Sequence, residues 1–518
     1  MPRQFMPRLL LVNPWITDVA AFDLWAWPLG LLYWASRLRE WGFDTHLIDC
    51  LDRAHPALGG RGPRARKFHT GKYYARPFEI QPSPAVRAGR LFRRYGLPPE
   101  AFENELRAFD ERKGEEGASD ERACGKRAFD ERACGKRASD ERACGKRAFD
   151  ERKGEEGAFD ERKGEEGAFD ERGGSPPDAI LMTSRMTYWY HGVRDAVARC
   201  RAHWPGVPIV LGGIYATLCR RHALAHSGAD AVLAGDALEA LPRWLARAFP
   251  KNAGRIQPPL PNPETWPEPA FDLCHAHGAL PILTSVGCPC RCTYCASRRL
   301  APRYLRRKPE SVLREIARHH GRWGTTDFVF YDDALLMDSE RFFEPLLDLV
   351  IASGIAVRFH TPNGLHYTKI TPGLAGKMRR AGLTTLRLSL ESVEPPQLSA
   401  WKREGEPGRF AQAVRALLDA GYERGDIGVY IMAGMPGQKP EEVERAIETV
   451  HAAGATPKLN EYSPIPGTEE WQRVLAVSGP EIEEEPLWQN NSLYYTRPEA
   501  FSAEAFARLK RLAHARVI

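Results

Sequence analysis

Residues 287–295 read GCPCRCTYC, which places Cys288, Cys290, Cys292 and Cys295 within eight positions. The chain is long, and its eleven cysteines are odd in number and clustered, so thiols at this density point to metal ligation rather than a disulfide framework. A structural zinc site would close a tetrahedron with all four thiolates, and zinc modules usually bring two well-separated pairs of ligands. No further CxxC lies near this segment in sequence. The alternative is a centre that uses only some of the four. Which ones, and for what chemistry, depends on the elements that carry the loop.

Beyond the Pro-rich stretch QPPLPNPETWPEP (257–269), short apolar runs alternate with helix-periodic segments. The predicted strands are 282–286, 327–331, 356–360, 385–390, 428–432 and 457–462. Pro309, Pro372 and Pro440 stand in the first turns of helices between them, and Gly354, Gly382, Gly421 and Gly454 stop the chain just before the next strand. Six βα units in succession predict a partial (β/α)6 barrel, whose chemistry belongs at the carboxyl ends of its strands. The cysteine segment directly follows the first of them.

Upstream, runs at 9–13, 44–49, 179–183, 208–211 and 231–234 alternate with helical segments at 29–41, 193–204 and 216–227 and one ending near Phe249. That is the pattern of a Rossmann-like, doubly wound parallel α/β sheet. Its second connection holds a decapeptide repeat that begins at Ala108 with AFDERKGEEG and ASDERACGKR. Ten residues advance a helix by about 1000°, so the recurring Phe109, Phe129, Phe149, Phe159 and Phe169 would not share a face, and glycine in each unit weakens a helix further. A solvated, disordered insertion is expected. Cys124, Cys134 and Cys144 are copied with the repeat and carry no ligand logic. The expected domains are 1–250, interrupted by the repeat at 107–174, then a linker at 251–270, the barrel at 271–480 and a short helical extension at 481–518.

Cys288-x3-Cys292-x2-Cys295, with the aromatic Tyr294 before the last cysteine, resembles the cluster motif of the radical S-adenosylmethionine (SAM) superfamily. The resemblance implies a 4Fe-4S cluster on Cys288, Cys292 and Cys295, with one iron left open to chelate SAM. It also implies reductive cleavage of SAM to a 5′-deoxyadenosyl radical that takes hydrogen from substrate. Cys290 stands where relatives commonly carry a bulky or aromatic residue and is expected to be spare. By the same resemblance Tyr294, Asp332, Asp333, Ser389, Glu391, Gly434 and Gly437 are expected to contact SAM. Ordinary roles compete: helix capping by Asp332 or Asp333, a turn at Asn363, and a tight turn at 433–437. A charged Glu391 within a barrel strand is costly unless paired, which favours function there.

The N-terminal half is similar to the cobalamin-binding domain that precedes the barrel in one large radical SAM class. The similarity lies in WPLGLLYWASRLREWGF (27–43), ILMTSRM (180–186), IVLGGIYAT (209–217) and GADAVLAGDALEAL (228–241). It implies cobalamin, with Gly212 and Gly213 admitting the nucleotide tail close to backbone and Thr183 and Ser184 offering hydroxyls. Ordinary tight turns are the competing reading. Asp44-Thr45-His46 begins like a D-x-H-x-x-G cobalt-ligand motif, but Asp49 fills the glycine position inside a predicted strand, so His46 is read as a strand residue. Trp15, Trp25 and Trp27 are candidates either for the corrin face or for the core.

Composition sets the remaining bounds. A net charge of +6 over 518 residues, with no long basic run, gives no reason to expect nucleic acid as a partner. The start MPRQFMPRLLLVNPW has too short an apolar run for a signal peptide, and no run approaches a membrane span. A cytoplasmic enzyme is expected, with a small-molecule or biosynthetic-intermediate substrate and an electron donor such as flavodoxin or ferredoxin. The two resemblances together imply cobalamin-dependent methyl transfer to an unactivated carbon or phosphorus centre. The alternatives are a cyclase or rearrangement enzyme with the same cofactors and no net methylation, and a non-catalytic metal-stabilised binding protein. RNA methylthiolation is disfavoured, because proteins of that type carry additional N-terminal cluster cysteines and a C-terminal RNA-binding barrel, neither recognised here. No residue is singled out as catalytic.

Overall fold

The computed structural model describes residues 6–59, 66–78, 81–112, 175–493 and 501–515. Residues 1–109 and 176–518 form one compact unit, to which everything below refers.

The first sheet has five parallel strands: β1 (Arg8–Asn13), β2 (Asp44–Asp49), β3 (Ala179–Met182), β4 (Ile209–Leu211) and β5 (Ala231–Val232). Their spatial order is β5-β4-β3-β1-β2. Leu9, Leu10, Leu11 and Val12 of β1 are all fully buried, because helices cover both faces. Leu10 and Val12 pack with Val193 and Ala196 of α2 (Tyr190–His203), whereas Leu9 and Leu11 pack with Leu31 and Ala35 of α1 (Leu29–Glu40). The doubly wound arrangement therefore stands, with its strand order reversing between β1 and β3.

The second sheet runs in chain order, all parallel: β6 (Ala279–Ile282), β7 (Asp327–Phe330), β8 (Arg358–His360), β9 (Leu383–Glu391), β10 (Ile427–Ala433) and β11 (Thr456–Glu461). Its ends, β6 and β11, do not pair with each other, so the barrel is open on one side. The helices that alternate with these strands are α3 (Pro309–Trp323), α4 (Phe343–Ser353), α5 (Pro372–Arg380), α6 (Pro407–Asp419) and α7 (Pro440–Ala452). Leu386, Leu388 and Leu390 of β9 and Val429 and Ile431 of β10 are buried in the helical layer, which turns the alternate residues of those strands inward.

The structure corrects the sequence reading in three places. The first barrel strand lies at Ala279–Ile282 rather than 282–286, and Ser285–Val286 turns away to pair antiparallel with Leu305–Arg306. The Pro-rich stretch is packed rather than free: Trp266 meets Tyr33 of α1 at 5.4 Å, and Ala270 N–H donates to Leu32 O at 3.0 Å. The helix Pro99–Glu111 also runs into the first repeat unit, where Phe109 is core. Its ring lies 5.6 Å from Trp204 and 5.1 Å from His46, with the Arg8 guanidinium 4.2 Å over its face. The repeat units at 113–174, expected to be disordered, lie outside the described residues. At the other end, the helix α8 (Ala503–His514) joins the barrel through buried Phe506 and Leu509.

A charge inside a sheet must be paired, and Asp327 at the amino end of β7 is fully buried. It accepts Arg358 Nε at 2.8 Å and Nη2 at 2.6 Å, and His360 Nε2 at 2.8 Å. Trp25, at φ +63°, stacks on His360 at 4.7 Å and closes this end of the barrel from the N-terminal half. Burial alone would raise the Asp327 pKa, but the hydrogen bonds from His360 and Arg358 outweigh it and hold the group well below the usual carboxylate range. Its contribution to stability is then complete above about pH 4 and is lost as pH falls toward the depressed native pKa. We expect Asp327→Ala to cost about 3 kcal/mol in urea unfolding at pH 7, and Asp327→Asn to flatten the acid limb of stability against pH. An unchanged acid limb would contradict the pairing.

Candidate active site at the cysteine loop

The cysteine loop leaves the carboxyl end of β6 and crosses residues 301–303 so closely that Gly287 has no room for a side chain. A Cβ there would lie 2.3 Å from Arg303 O, and its φ is +78°. Thr293 fixes the middle of the loop. Its N–H donates to Trp401 O at 3.1 Å, its carbonyl accepts Glu470 N–H at 3.0 Å, and its hydroxyl donates to the Glu470 carboxylate at 3.3 Å. Cys295 N–H closes a turn onto Cys292 O at 3.2 Å. Tyr294 is packed edge-on against Trp401 at 6.1 Å, so it anchors the loop.

The thiols have distinct surroundings. Cys292 Sγ lies 3.8 Å from Arg403 Nη1, Cys295 Sγ lies 3.2 Å from Ser297 Oγ, and Cys290 Sγ lies 4.0 Å from His366 Nε2. The neighbouring Cys290 thiol, with burial, raises the Cys288 pKa, and burial raises that of Cys292. Ligation would have to displace the thiol protons. Among the described residues no three His, Cys, Asp or Glu side chains converge tightly enough for a single metal ion. A four-iron cluster is larger than one ion and spreads its thiolates. Three cysteines on one pinned loop, one of them beside a guanidinium that favours thiolate, suit it.

Opposite the loop, β9 is irregular. Ser389 pairs with Tyr430 but Glu391 pairs with Ile431, so β9 holds one extra residue, and Glu391 sits at φ +65°. Its side chain is buried and its Oε2 has no hydrogen-bond partner among the described residues. Burial raises the Glu391 pKa to about 7, against the pull of the Arg403 charge. Arg403 donates to Ser389 O at 3.1 Å and to Ser389 Oγ at 2.6 Å, so one guanidinium reaches the bulge and Cys292 while its charge acts on the Glu391 carboxylate. A buried acceptor with nothing to accept, across from the three thiols, is the feature that suits the ammonium of SAM. Gly364 sets how closely the loop after β8 approaches, since a Cβ there would lie 2.6 Å from the Ser389 Cβ.

Other expected SAM contacts are committed within the protein. Asp332 caps no helix. Its carboxylate accepts Thr284 N–H at 3.1 Å, Thr284 Oγ1 at 2.6 Å and Ser285 Oγ, which bends the chain after β6. Asn363 Nδ2 donates to Tyr331 O at 3.0 Å and Asp332 O at 3.1 Å. Asp333 is bonded to Ser297, beside Cys295, and burial raises its pKa. Gly434 and Gly437 have φ of +93° and +79° in a tight turn. The turn is closed by Gln438, whose Oε1 accepts Gly434 N–H at 2.9 Å and Met435 N–H at 3.2 Å. Arg403, Gln438, His366 and Glu470 were not singled out from sequence. Arg403 lies in the charged run WKREGEP (401–407), where nothing distinguishes it from a solvated arginine.

A cavity of about 690 Å³ lies on the other side of the same segment. Thr183, Gly212 and Gly213 line it from the carboxyl ends of β3 and β4, Tyr33 and Trp34 from α1, and Val286, Ala301 and Arg303 from the chain flanking the cysteine loop. A Cβ on Gly212 would meet nothing within 4 Å, so its backbone is open to a ligand. Gly213 is different: at φ +92° its Cβ would lie 2.3 Å from Ser184 O. Ser184 is a structural tie that donates to Gly212 O at 2.7 Å and accepts Tyr215 N–H at 3.2 Å, and it does not line the cavity. None of the described lining residues is a histidine. His46 lies in β2, 3.2 Å from Asp44 Oδ2, and Trp15 is a core aromatic that donates to Leu97 O at 2.7 Å. A largely apolar space of this size with an exposed glycine backbone is a candidate site for a sizeable ligand or cofactor.

Residues 282–450 match the family model of the Radical SAM superfamily. Among curated proteins, the chain is similar to an uncharacterized methyltransferase of Pyrococcus horikoshii, 24% identical over 260 residues that make up 48% of this chain and 55% of that protein. It is also similar to a tRNA-2-methylthio-N(6)-dimethylallyladenosine synthase of Kineococcus radiotolerans, 26% identical over 289 residues, 54% of this chain and 56% of that protein. The chain thus spans about half the length of these curated relatives. Among solved structures, the radical SAM methyltransferase TsrM from Kitasatospora setae, with cobalamin and a [4Fe-4S] cluster bound, aligns with a TM-score of 0.57 at 15% identity over 92% of this chain and 76% of that one. The cobalamin-dependent SAM radical enzyme OxsB, with aqua-cobalamin and SAM bound, aligns at 0.53 and 11% identity over 93% and 56%. At such identities the likeness is one of fold. The chain carries a radical SAM domain, joined to an N-terminal parallel sheet in an overall fold similar to that of cobalamin-binding radical SAM enzymes.

Proposed function

We propose that this chain is a radical SAM enzyme that uses cobalamin to transfer a methyl group to an unactivated centre of a small molecule or biosynthetic intermediate. The observation that carries the reading is the buried Glu391 carboxylate, whose Oε2 has no hydrogen-bond partner among the described residues, facing a pinned loop of Cys288, Cys292 and Cys295 at the carboxyl end of a radical SAM barrel. When bound, a 4Fe-4S cluster with SAM would supply a 5′-deoxyadenosyl radical, and cobalamin a methyl carrier.

The chain's own residues do the rest. Thr293, Trp401 and Glu470 hold the loop, so that three thiolates are presented from one rigid turn. Arg403 stabilises thiolate at Cys292 and keeps part of the Glu391 charge in a buried setting. Glu391, when ionised, accepts the ammonium of SAM, while the helical layer excludes water from the strand ends. The large cavity shares the wall formed by Val286 and residues 300–303 with the cysteine loop, which supports cobalamin beside the cluster. Similarity to a protein named as a methyltransferase and to the fold of TsrM supports methylation as the outcome. An external one-electron donor of the flavodoxin or ferredoxin kind completes the requirements.

Anaerobic reconstitution separates this reading from a zinc-stabilised binding protein. We expect about four irons per chain and release of 5′-deoxyadenosine from SAM on reduction. Alanine at Cys288, Cys292 or Cys295 removes both, while Cys290→Ala keeps both. Equal loss from Cys290→Ala, or one bound zinc and no SAM cleavage, would overturn the assignment. Because burial holds the Glu391 pKa near 7, SAM affinity measured by equilibrium dialysis should rise as pH increases through about 7. Glu391→Gln should weaken it about tenfold or more at pH 8 and remove the pH dependence. A variant with unchanged affinity and slope would exclude Glu391 from the SAM site.

A further inference from the structure

The inner face of the barrel carries two cations, Arg387 and Lys458, with no ion-pair partner among the described residues. β9, β10 and β11 lie side by side, with Arg387 beside Gly428 and Ser389 beside Tyr430, which in turn adjoins Lys458. Since Leu386, Leu388, Val429 and Ile431 pack outward into the helices, Arg387 and Tyr430 point inward, and Lys458 shares the register position of Tyr430. Gly428 makes room for the arginine. A Cβ at that position would lie 2.8 Å from Arg387 Nη1 and 3.0 Å from its Cδ, so the side chain lies across β10, on the side of β11.

The acids of this region are engaged elsewhere. Asp327 pairs with Arg358 and His360, Glu391 faces Arg403, and Glu461 at the end of β11 pairs with Lys510 at 2.6 Å. Among the described residues Arg387 donates Nη1 to Leu386 O at 2.8 Å and hydrogen-bonds the Tyr430 side chain, and neither Arg387 nor Lys458 has an ion-pair partner. Burial and the Arg387 charge together lower the Lys458 pKa, as for two like charges set side by side without a counter-ion. Tyr430 stands between them with its hydroxyl donated to Pro362 O at 2.7 Å, which fixes its ring as a wall of the same space.

We infer that Arg387 and Lys458 form an anchor for an anionic oxygen group, a carboxylate or a phosphate, on the substrate of this barrel. The anchor rests on the radical SAM reading for its purpose. Arg387 is two residues before Ser389 on β9, about 7 Å deeper in the barrel, so an anion held there would leave the remainder of the substrate extending toward Ser389 and Glu391. A planar guanidinium suits either group through paired N–H donors, and the lysine adds a movable point charge from the open edge at β11. The anchor therefore selects substrates by charge at one end while leaving the reacting centre to the strand ends.

The test titrates the full, reconstituted chain with inorganic phosphate and, separately, with malonate at constant ionic strength against chloride, by calorimetry. We expect saturable binding of at least one of them, weakened about tenfold or more by Arg387→Gln and by Lys458→Gln, and retained by Lys458→Arg. Binding of phosphate alone assigns a phosphate ester, of malonate alone a carboxylic acid, and of both a site for either anion. No saturable binding, or binding indifferent to both glutamine substitutions, overturns the anchor. Lys458 stands on the edge strand β11 with part of its side chain in solvent, so Lys458→Gln folds even if Arg387→Gln does not. SAM cleavage by the unmutated chain, measured on the same preparation, reports the radical SAM reading by itself. Cleavage without anion binding overturns only the anchor, and anion binding without cleavage overturns only the enzyme reading.

Discussion

One half-buried guanidinium links the two halves of the site. Arg403 donates to the carbonyl and hydroxyl of Ser389, approaches the Cys292 thiol and faces the Glu391 carboxylate. Its neighbour Trp401 supplies the carbonyl that takes Thr293 N–H from the cysteine loop. Taking an arginine out of water costs several kcal/mol unless its donors are met and its charge is balanced, and here the acceptors come from the strand bulge and the loop at once. The loop and the bulge are thus positioned relative to each other by a shared partner rather than by direct contact.

In the function proposed above, the architecture around that link would set two large cofactors side by side. The chain from Val286 to Arg303 has the cysteine loop at its start and forms part of the wall of the cavity above β3 and β4. Asp332 bends this chain away from β6 through Thr284 and Ser285, which frees it to reach the N-terminal sheet. In the other direction, Trp25 of the N-terminal half stacks on His360 and closes the amino end of the barrel. The sheet ends at β11, and Arg387, Tyr430 and Lys458 stand on its inner face near that edge.

Much of this was legible from spacing. The strands emerged because period-two alternation and Pro and Gly punctuation are local signals. β6 was misplaced by three residues because ILTSV continues to look like a strand, whereas the hydroxyls of Thr284 and Ser285 are drawn to an aspartate 47 and 48 positions away. Phe109 was missed as core because its repeat unit looks like its copies, and only the helix that runs into it distinguishes it. Glu391 was legible as an acid in a strand. Arg403 was not, since its burial depends on the bulge in β9, which has no signature in the local sequence. The glycine pair at 212 and 213 was seen, but only the structure separates an open backbone from a close packing contact.

The central claim is that the cysteine loop is an incomplete cage, three thiolates with a fourth position kept for SAM. Mössbauer spectroscopy of the iron-57-reconstituted protein, with and without SAM, tests it most directly. The account predicts a four-iron cluster in which one iron of the four changes its isomer shift and quadrupole splitting when SAM is added. A cluster whose four irons are equivalent and indifferent to SAM would contradict it, because that result requires Cys290 to complete a closed cage.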